Sequence, residues 1–160
     1  MTGALRTGPL RGVRAADVWD LARTIWGEAR GSTQADRIAV AWVARNRLAR
    51  PGWWSRHPDD GIPDDTIQAV VREPMQFSCW NATDPNRRLL DALALPDALA
   101  DRAFRGCLAA AIAVLDGVEP DPTEGSCHYH TAAMGWPRTW GPPRRPVAAI
   151  GAHLFYNDVP

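Results

Sequence analysis

The stretch Val18-Trp19-Asp20-Leu21-Ala22-Arg23-Thr24-Ile25-Trp26-Gly27-Glu28-Ala29-Arg30-Gly31 sets the architecture. Val18, Leu21, Ala22, Ile25, Trp26 and Ala29 recur at the i, i+3, i+4, i+7 spacing of one helix face. Gly31 supplies a stop. A second helix is expected from Ser32 or Thr33 to about Ala49, with Asp36 placed as a capping-box partner. Its run Ile38-Ala39-Val40-Ala41-Trp42-Val43-Ala44 is apolar on every side, which marks a central, buried helix.

Working outward, Pro51 ends that helix and opens a Trp-, Pro- and Asp-rich loop to Asp65. A short helix is expected over Thr66–Val71, then a non-helical segment over Glu73–Asn81. A long helix should span Asp97–Leu115, with Gly117 just past its end. Beyond Pro122 come irregular segments, a Pro/Arg loop at Pro137–Pro146 and a strand around His153–Tyr156. Residues 1–14 are Gly- and Arg-rich without periodicity and read as a mobile arm ahead of one domain, 15–160. The sum is an α+β domain, mainly α, with small β elements.

At 160 residues and 17.5 kDa there is room for one ordinary core. Hydrophobic residues at 46% and charged ones at 22% are globular composition rather than disorder. A formal charge of zero removes the long-range attraction that nucleic-acid binding needs. The longest near-continuous apolar run, Cys107–Leu115, is far short of the roughly 20 residues of a membrane-spanning helix, so no stable membrane insertion is expected. Cys79, Cys107 and Cys127 form an odd set without metal-like spacing, and no disulfide framework follows. Met1–Arg14 lacks an apolar stretch and does not read as a signal peptide. Tryptophan is abundant, 8 residues against 3 Phe and 2 Tyr, and its flat apolar face with an N–H donor suits sugar rings as well as packing.

Of the four glutamates, Glu28 has the most suggestive setting. It lies beside Leu21 at the edge of the apolar stripe and in the last turn of its helix. Partial burial and the negative end of the helix dipole both favour a protonated carboxyl, as a general acid requires. A second cluster is Gly125-Ser126-Cys127-His128-Tyr129-His130. If extended, it points His128 and His130 to one face, a spacing that permits metal binding with Asp121, Glu124, Cys127 or His153 as third ligand. No HExxH or paired CxxC supports a metal, so the adopted reading has no metal and no cofactor, with Tyr129 and His130 as hydrogen-bonding cleft residues. The third cluster, Gln76-Phe77-Ser78-Cys79-Trp80, mixes polar and aromatic residues as a loop touching a polar ligand would. Ser78 lacks a G-x-S-x-G context and is read as a hydrogen-bond donor, not a nucleophile.

Five blocks in order resemble the cell wall hydrolases of the SleB type: Ile25–Gly31, Ile38–Arg47, Gln76–Trp80, Gly125–His130 and Ile150–Tyr156. The likeness runs from about Asp17 to Tyr156. It implies a lysozyme-like fold related to lytic transglycosylases, acting on peptidoglycan glycan strands. The family's E-A-R-G glutamate corresponds to Glu28, and the cleft to Gln76, Phe77, Ser78, Tyr129 and His130; Trp80 is expected to bind substrate beside them. Ser32 stands where the family often has a second glutamate, and Cys127 where Thr is usual.

A protonated glutamate can donate to the bridging oxygen between MurNAc and GlcNAc. With a suitably placed second carboxylate, water would attack and the product would be hydrolytic. Without one, the MurNAc 6-hydroxyl attacks C1 and leaves a 1,6-anhydro end, the outcome favoured here. Trp53, Trp54, Trp80, Trp136 and Trp140 fall in loops where they can stack on sugars. Arg138, Arg144 and Arg145 could meet lactyl or stem-peptide carboxylates, although a solvated surface explains them as well. Two other readings stay open: a zinc-dependent N-acetylmuramoyl-L-alanine amidase built on His128 and His130, and a non-catalytic glycan-binding protein of a phage particle. The N-terminal sequence adds the expectation of a phage or phage-like-particle lysin, made in the cytoplasm, released through a holin-type pore or carried in a particle, and acting on the wall.

Overall fold

The computed structural model describes residues 8–50, 54–55 and 60–160. The helices expected from the opening stretches are α1 (Ala15–Ala29) and α2 (Gln34–Leu48). At the start of α1, Asp17 accepts from the Arg14 backbone N–H at 2.8 Å and pairs with its guanidinium at 3.1 Å. Thr33 caps α2 by accepting the Asp36 N–H at 3.2 Å. The short helix α3 (Ile67–Arg72) is capped the same way by Thr66. Leu21 and Ile25 of α1, Val40 and Val43 of α2 and Phe104 of the last helix are wholly buried, and each such side chain contributes about 1.5–3 kcal/mol.

The expected long helix over Asp97–Leu115 is two helices, α5 (Leu95–Ala100) and α6 (Arg102–Leu115). Asp101 between them takes extended geometry (φ −77°, ψ 120°). Its carboxylate accepts the Ala103 N–H and the Trp26 indole N–H, both at 2.8 Å. An aspartate capping at that point outweighs helical continuation. A further helix, α4 (Pro85–Ala92), was not foreseen, although Asp84 followed by Pro85 is an N-cap with proline in the first turn. α6 packs against both α1 and α2. Gly8–Arg14, read from sequence as part of a mobile arm, is docked here: the Leu10 N–H donates to the Leu115 carbonyl at 2.7 Å, and Arg45 Nη2 donates to the Gly8 carbonyl at 2.5 Å. Among the described residues no helix is long and apolar enough to cross a membrane.

The sheet comprises β1 (His128–Thr131), β2 (Ala148–Ile150) and β3 (His153–Tyr156), antiparallel in the order β1-β3-β2. His128 sits opposite Tyr156, and Thr131 opposite His153. The period of two turns Tyr129 toward Phe77 and Phe155, and His128 and His130 toward Trp140.

Asp36 fastens this sheet to the helices. Its side chain does not close a capping box. It is wholly buried and accepts from the Ser32 hydroxyl at 2.5 Å and the Ala152 N–H at 3.2 Å, with His153 Nδ1 2.8 Å away. Gly151 permits the approach: φ is +56°, and a Cβ there would lie 2.5 Å from the Ser32 hydroxyl oxygen and 2.6 Å from the Asp36 Cβ. Removing one partner of such a buried group strands the others. Asp36→Ala is expected to lose about 3–5 kcal/mol of stability, measured by urea unfolding.

Candidate active site

Glu28 stands half-buried in the last turn of α1, as its sequence setting suggested. One carboxylate oxygen accepts the Cys79 backbone N–H at 2.9 Å and lies 3.3 Å from the Ser78 hydroxyl. The other accepts the Tyr129 hydroxyl at 3.0 Å. The donors come from the 3-10 turn Ser78–Trp80 and from β1. Gly27 lets that turn approach α1, since a Cβ there would fall 2.6 Å from the Cys79 Cβ. Burial, then the neighbouring Glu28 charge, pushes the Tyr129 phenol well above its ordinary value. Tyr129 therefore keeps its proton and acts as a donor.

The carboxylate opens into a cleft of about 570 Å³ that Gln76, Ser78, Tyr129 and His130 also line. Glu28 is the one acidic side chain among the described residues that line it. Phe77, expected to touch ligand, is 1% exposed and instead supports the wall, packed on Tyr129 and on the Arg47 guanidinium. Trp80 is turned away from this cleft, with its indole N–H donating to the Thr24 hydroxyl at 2.9 Å. The preceding backbone decides this, because the 3-10 turn directs the Cys79 amide at Glu28 and carries the Trp80 ring to the opposite side of the loop. Trp54 and Trp140 line the cleft, and Trp136 packs against Trp140, His130 and Tyr156. Trp53 lies outside the described residues. Arg138, Arg144 and Arg145 are exposed, and Arg144 pairs with Asp158 at 3.3 Å.

Arg47 was not foreseen as part of the site. Only 4% exposed, it lies beneath the cleft with its guanidinium 4.5 Å from the Trp54 ring and 4.7 Å from that of Phe77. Its Nε donates to the Cys127 carbonyl at 2.8 Å, and Nη1 reaches the Gln76 carbonyl at 3.5 Å. It thus ties the two cleft walls together. Burial lowers its pKa to about 10, which leaves it charged at neutral pH. The sequence held one signal: an arginine on a helix that is apolar all round must find buried acceptors.

His128 and His130 do share one face of β1, but their neighbours are aromatic. His130 has Nδ1 2.9 Å from the Thr131 carbonyl and Nε2 2.9 Å from the Tyr156 hydroxyl, so both nitrogens are engaged. His128 packs edge-on to Trp54 and Trp140. Of the possible third ligands, Asp121 accepts from Thr123, Gly125 and Asn46, and His153 is held by Asp36. Among the described residues, no three His, Cys, Asp or Glu side chains gather as a metal cage. The zinc amidase reading has no geometric support.

Residues 31–156 match the family described as Cell Wall Hydrolase. The chain belongs to that family. The resemblance to SleB-type cell wall hydrolases is thereby confirmed. Glu28 itself lies just ahead of the matched segment, so its role rests on its surroundings. The spore cortex-lytic enzyme of Halalkalibacterium halodurans is 30% identical over 145 residues, covering 88% of this chain and 34% of that protein. That of Bacillus subtilis is 26% identical over 147 residues, covering 87% and 37%. This cell wall hydrolase chain thus spans well under half the length of these curated relatives. Among solved structures, the catalytic domain of the Bacillus cereus SleB protein superposes with a TM-score of 0.61 at 23% identity, covering 96% of this chain and 98% of that one. The catalytic domain of the germination-specific lytic transglycosylase SleB from Bacillus anthracis gives 0.58 at 22%, covering 91% and 97%. These likenesses establish the shared, mainly helical fold.

Burial and the nearby Arg47 and Arg50 charges lower the His128 pKa to about 4. The unfolded chain takes up this proton near pH 6.5, while the folded protein refuses it until about pH 4. Stability present above pH 6.5 should therefore fall as pH drops through that window. Denaturant midpoints measured from pH 7 to 4 should show the decline, and His128→Phe should flatten part of it.

Proposed function

We propose that this chain cleaves the β-1,4 bond between MurNAc and GlcNAc in peptidoglycan as a lytic transglycosylase, with Glu28 as general acid and then base. The observation that carries this reading is the Glu28 carboxyl group, fixed by Cys79, Ser78 and Tyr129 at the wall of an open cleft. In the first step Glu28 gives its proton to the glycosidic oxygen, and the C1–oxygen bond breaks as positive charge develops on the MurNAc ring. In the second, the MurNAc 6-hydroxyl attacks C1 and returns its proton to Glu28. No water is consumed, and the strand ends in a 1,6-anhydro sugar.

A single acidic side chain among the described lining residues favours this route, because direct hydrolysis by the usual two-carboxylate schemes needs a partner about 5–9.5 Å away. Tyr129 and the Cys79 amide hold the carboxyl in one orientation throughout.

Mass spectrometry of muropeptides from purified sacculi tests the reading. Wild type should yield anhydro ends, and Glu28→Gln should reduce them by about 10²–10⁴-fold. Reducing ends would replace transglycosylation by hydrolysis, and free stem peptides would overturn glycosidic cleavage altogether. Sugar binding with no product from wild type would leave a glycan-binding protein. Tyr129→Phe removes one hydrogen bond to the carboxylate and should lower the rate about tenfold with the melting temperature retained.

A further inference from the structure

The Glu28 cleft borders a second depression across Met75, which lines both. Met75 is 78% exposed with φ +66°, a left-handed conformation that a side chain adopts only where the surroundings impose it. It forms a ridge between the two hollows. The second hollow, about 430 Å³, is walled by Arg72, Trp80, Asn81, Thr83 and Arg87, and no described residue lining it is acidic.

Three guanidinium groups approach the Trp80 ring: Arg72 at 3.9 Å, Arg23 at 4.9 Å and Arg87 at 5.9 Å. Two of them have polar partners. Arg23 pairs with Asp20 and donates to the Leu90 carbonyl at 3.1 Å. Arg87 pairs with Asp91 at 2.8 Å and donates to the Trp80 carbonyl at 2.5 Å. Arg72 differs. It stacks on the indole but makes no hydrogen bond or ion pair with any described residue, although it is half-buried. Burial and repulsion from Arg23 and Arg87 lower its pKa, against a partial offset from Asp20 and Asp91. Stacking explains where the guanidinium lies, and leaves its N–H donors without a protein acceptor on the wall of the hollow.

We propose that this depression binds a carboxylate of the peptide stem borne by the glycan strand whose bond lies at Glu28, with Arg72 as the principal ligand and Arg87 beside it. The inference rests on the proposed function for the identity of the strand. A guanidinium already held flat presents a fork that matches a carboxylate in a bidentate pair. Asn81 and Thr83 add neutral hydrogen-bonding groups on the same wall. Because Met75 lines both hollows, a short extended stem, about 7–10 Å for two or three residues, is the part of the substrate that would lead from the first hollow toward the second. Arg138, Arg144 and Arg145, which suggested stem recognition from sequence, are exposed and do not line this depression.

Binding to the Glu28→Gln protein separates this proposal from the catalytic one, since it needs no turnover. Isothermal titration should show a MurNAc–GlcNAc disaccharide carrying a tetrapeptide binding about tenfold more tightly than the same disaccharide without it. Arg72→Met, added to Glu28→Gln, should abolish that preference while keeping an uncharged side chain of similar length against Trp80. In the Glu28→Gln protein itself, the Trp80 indole N–H resonance should move with the peptide-bearing sugar only. A preference that survives Arg72→Met in a protein of unchanged melting temperature would overturn the proposal, and so would an unmoved Trp80 resonance. Inorganic phosphate competing as strongly as the tetrapeptide sugar would also overturn it, by showing a general anion site. If muropeptide analysis finds no glycosidic cleavage yet the preference is present and Arg72-dependent, the catalytic reading falls and the stem site stands.

Discussion

The carboxylate of Glu28 joins parts of the chain that are 51 and 101 residues away, through the Cys79 amide and the Tyr129 hydroxyl. A buried or half-buried carboxylate is stable only where donors converge on it, so the end of α1 determines where the Ser78–Trp80 turn and β1 must lie. Gly27 makes the first of these approaches sterically possible, and the register of β1 on β3 fixes the second. The cleft is the gap left when three elements meet at one acidic group.

That meeting depends on two cross-ties deeper in the protein. Asp36 holds the β2–β3 turn to the start of α2 through Ala152 and His153, and thereby sets the position of β3, on which β1 is hung. Arg47, further along the same helix, clamps the Gln76 and Cys127 backbones. With Arg45, they are the buried charged residues of a helix whose other buried side chains are alanines, valines and Trp42. α2 therefore serves as more than core filling: its few polar side chains carry the positional information that the apolar ones lack. Ser32 contributes its hydroxyl to the Asp36 tie and does not line the cleft.

Local pattern made much of this legible. The period of α1 is a short-range signal, and α1, the short helix α3 and the strand His153–Tyr156 formed where the sequence placed them. Glu28, Gln76, Ser78, Tyr129 and His130 all reach one cleft. What local pattern could not convey was competition between alternatives. Asp101 falls inside the helix expected over Asp97–Leu115, yet its carboxylate caps α6 at Ala103 and also accepts from Trp26, a partner 75 residues away that local pattern cannot show. Asp36 fitted a capping box until the β2–β3 turn supplied better donors. Trp80 shares a tight turn with Cys79, but its ring faces the arginines on the far side of the loop.

The three cysteines show what tight packing of the Cys79 turn against α1 does to sulfur chemistry. All are buried and free. The Cys79 thiol is pushed strongly upward, by burial first and then by the Glu28 charge beside it, and burial likewise raises Cys107 and Cys127. Oxidants, alkylating reagents and thiol exchange all act on the accessible thiolate, which these sites suppress. The folded protein can thus carry an odd number of cysteines through an oxidising medium without cross-linking to itself or its neighbours. Sluggish reaction with maleimides until the fold is opened is the corresponding signature.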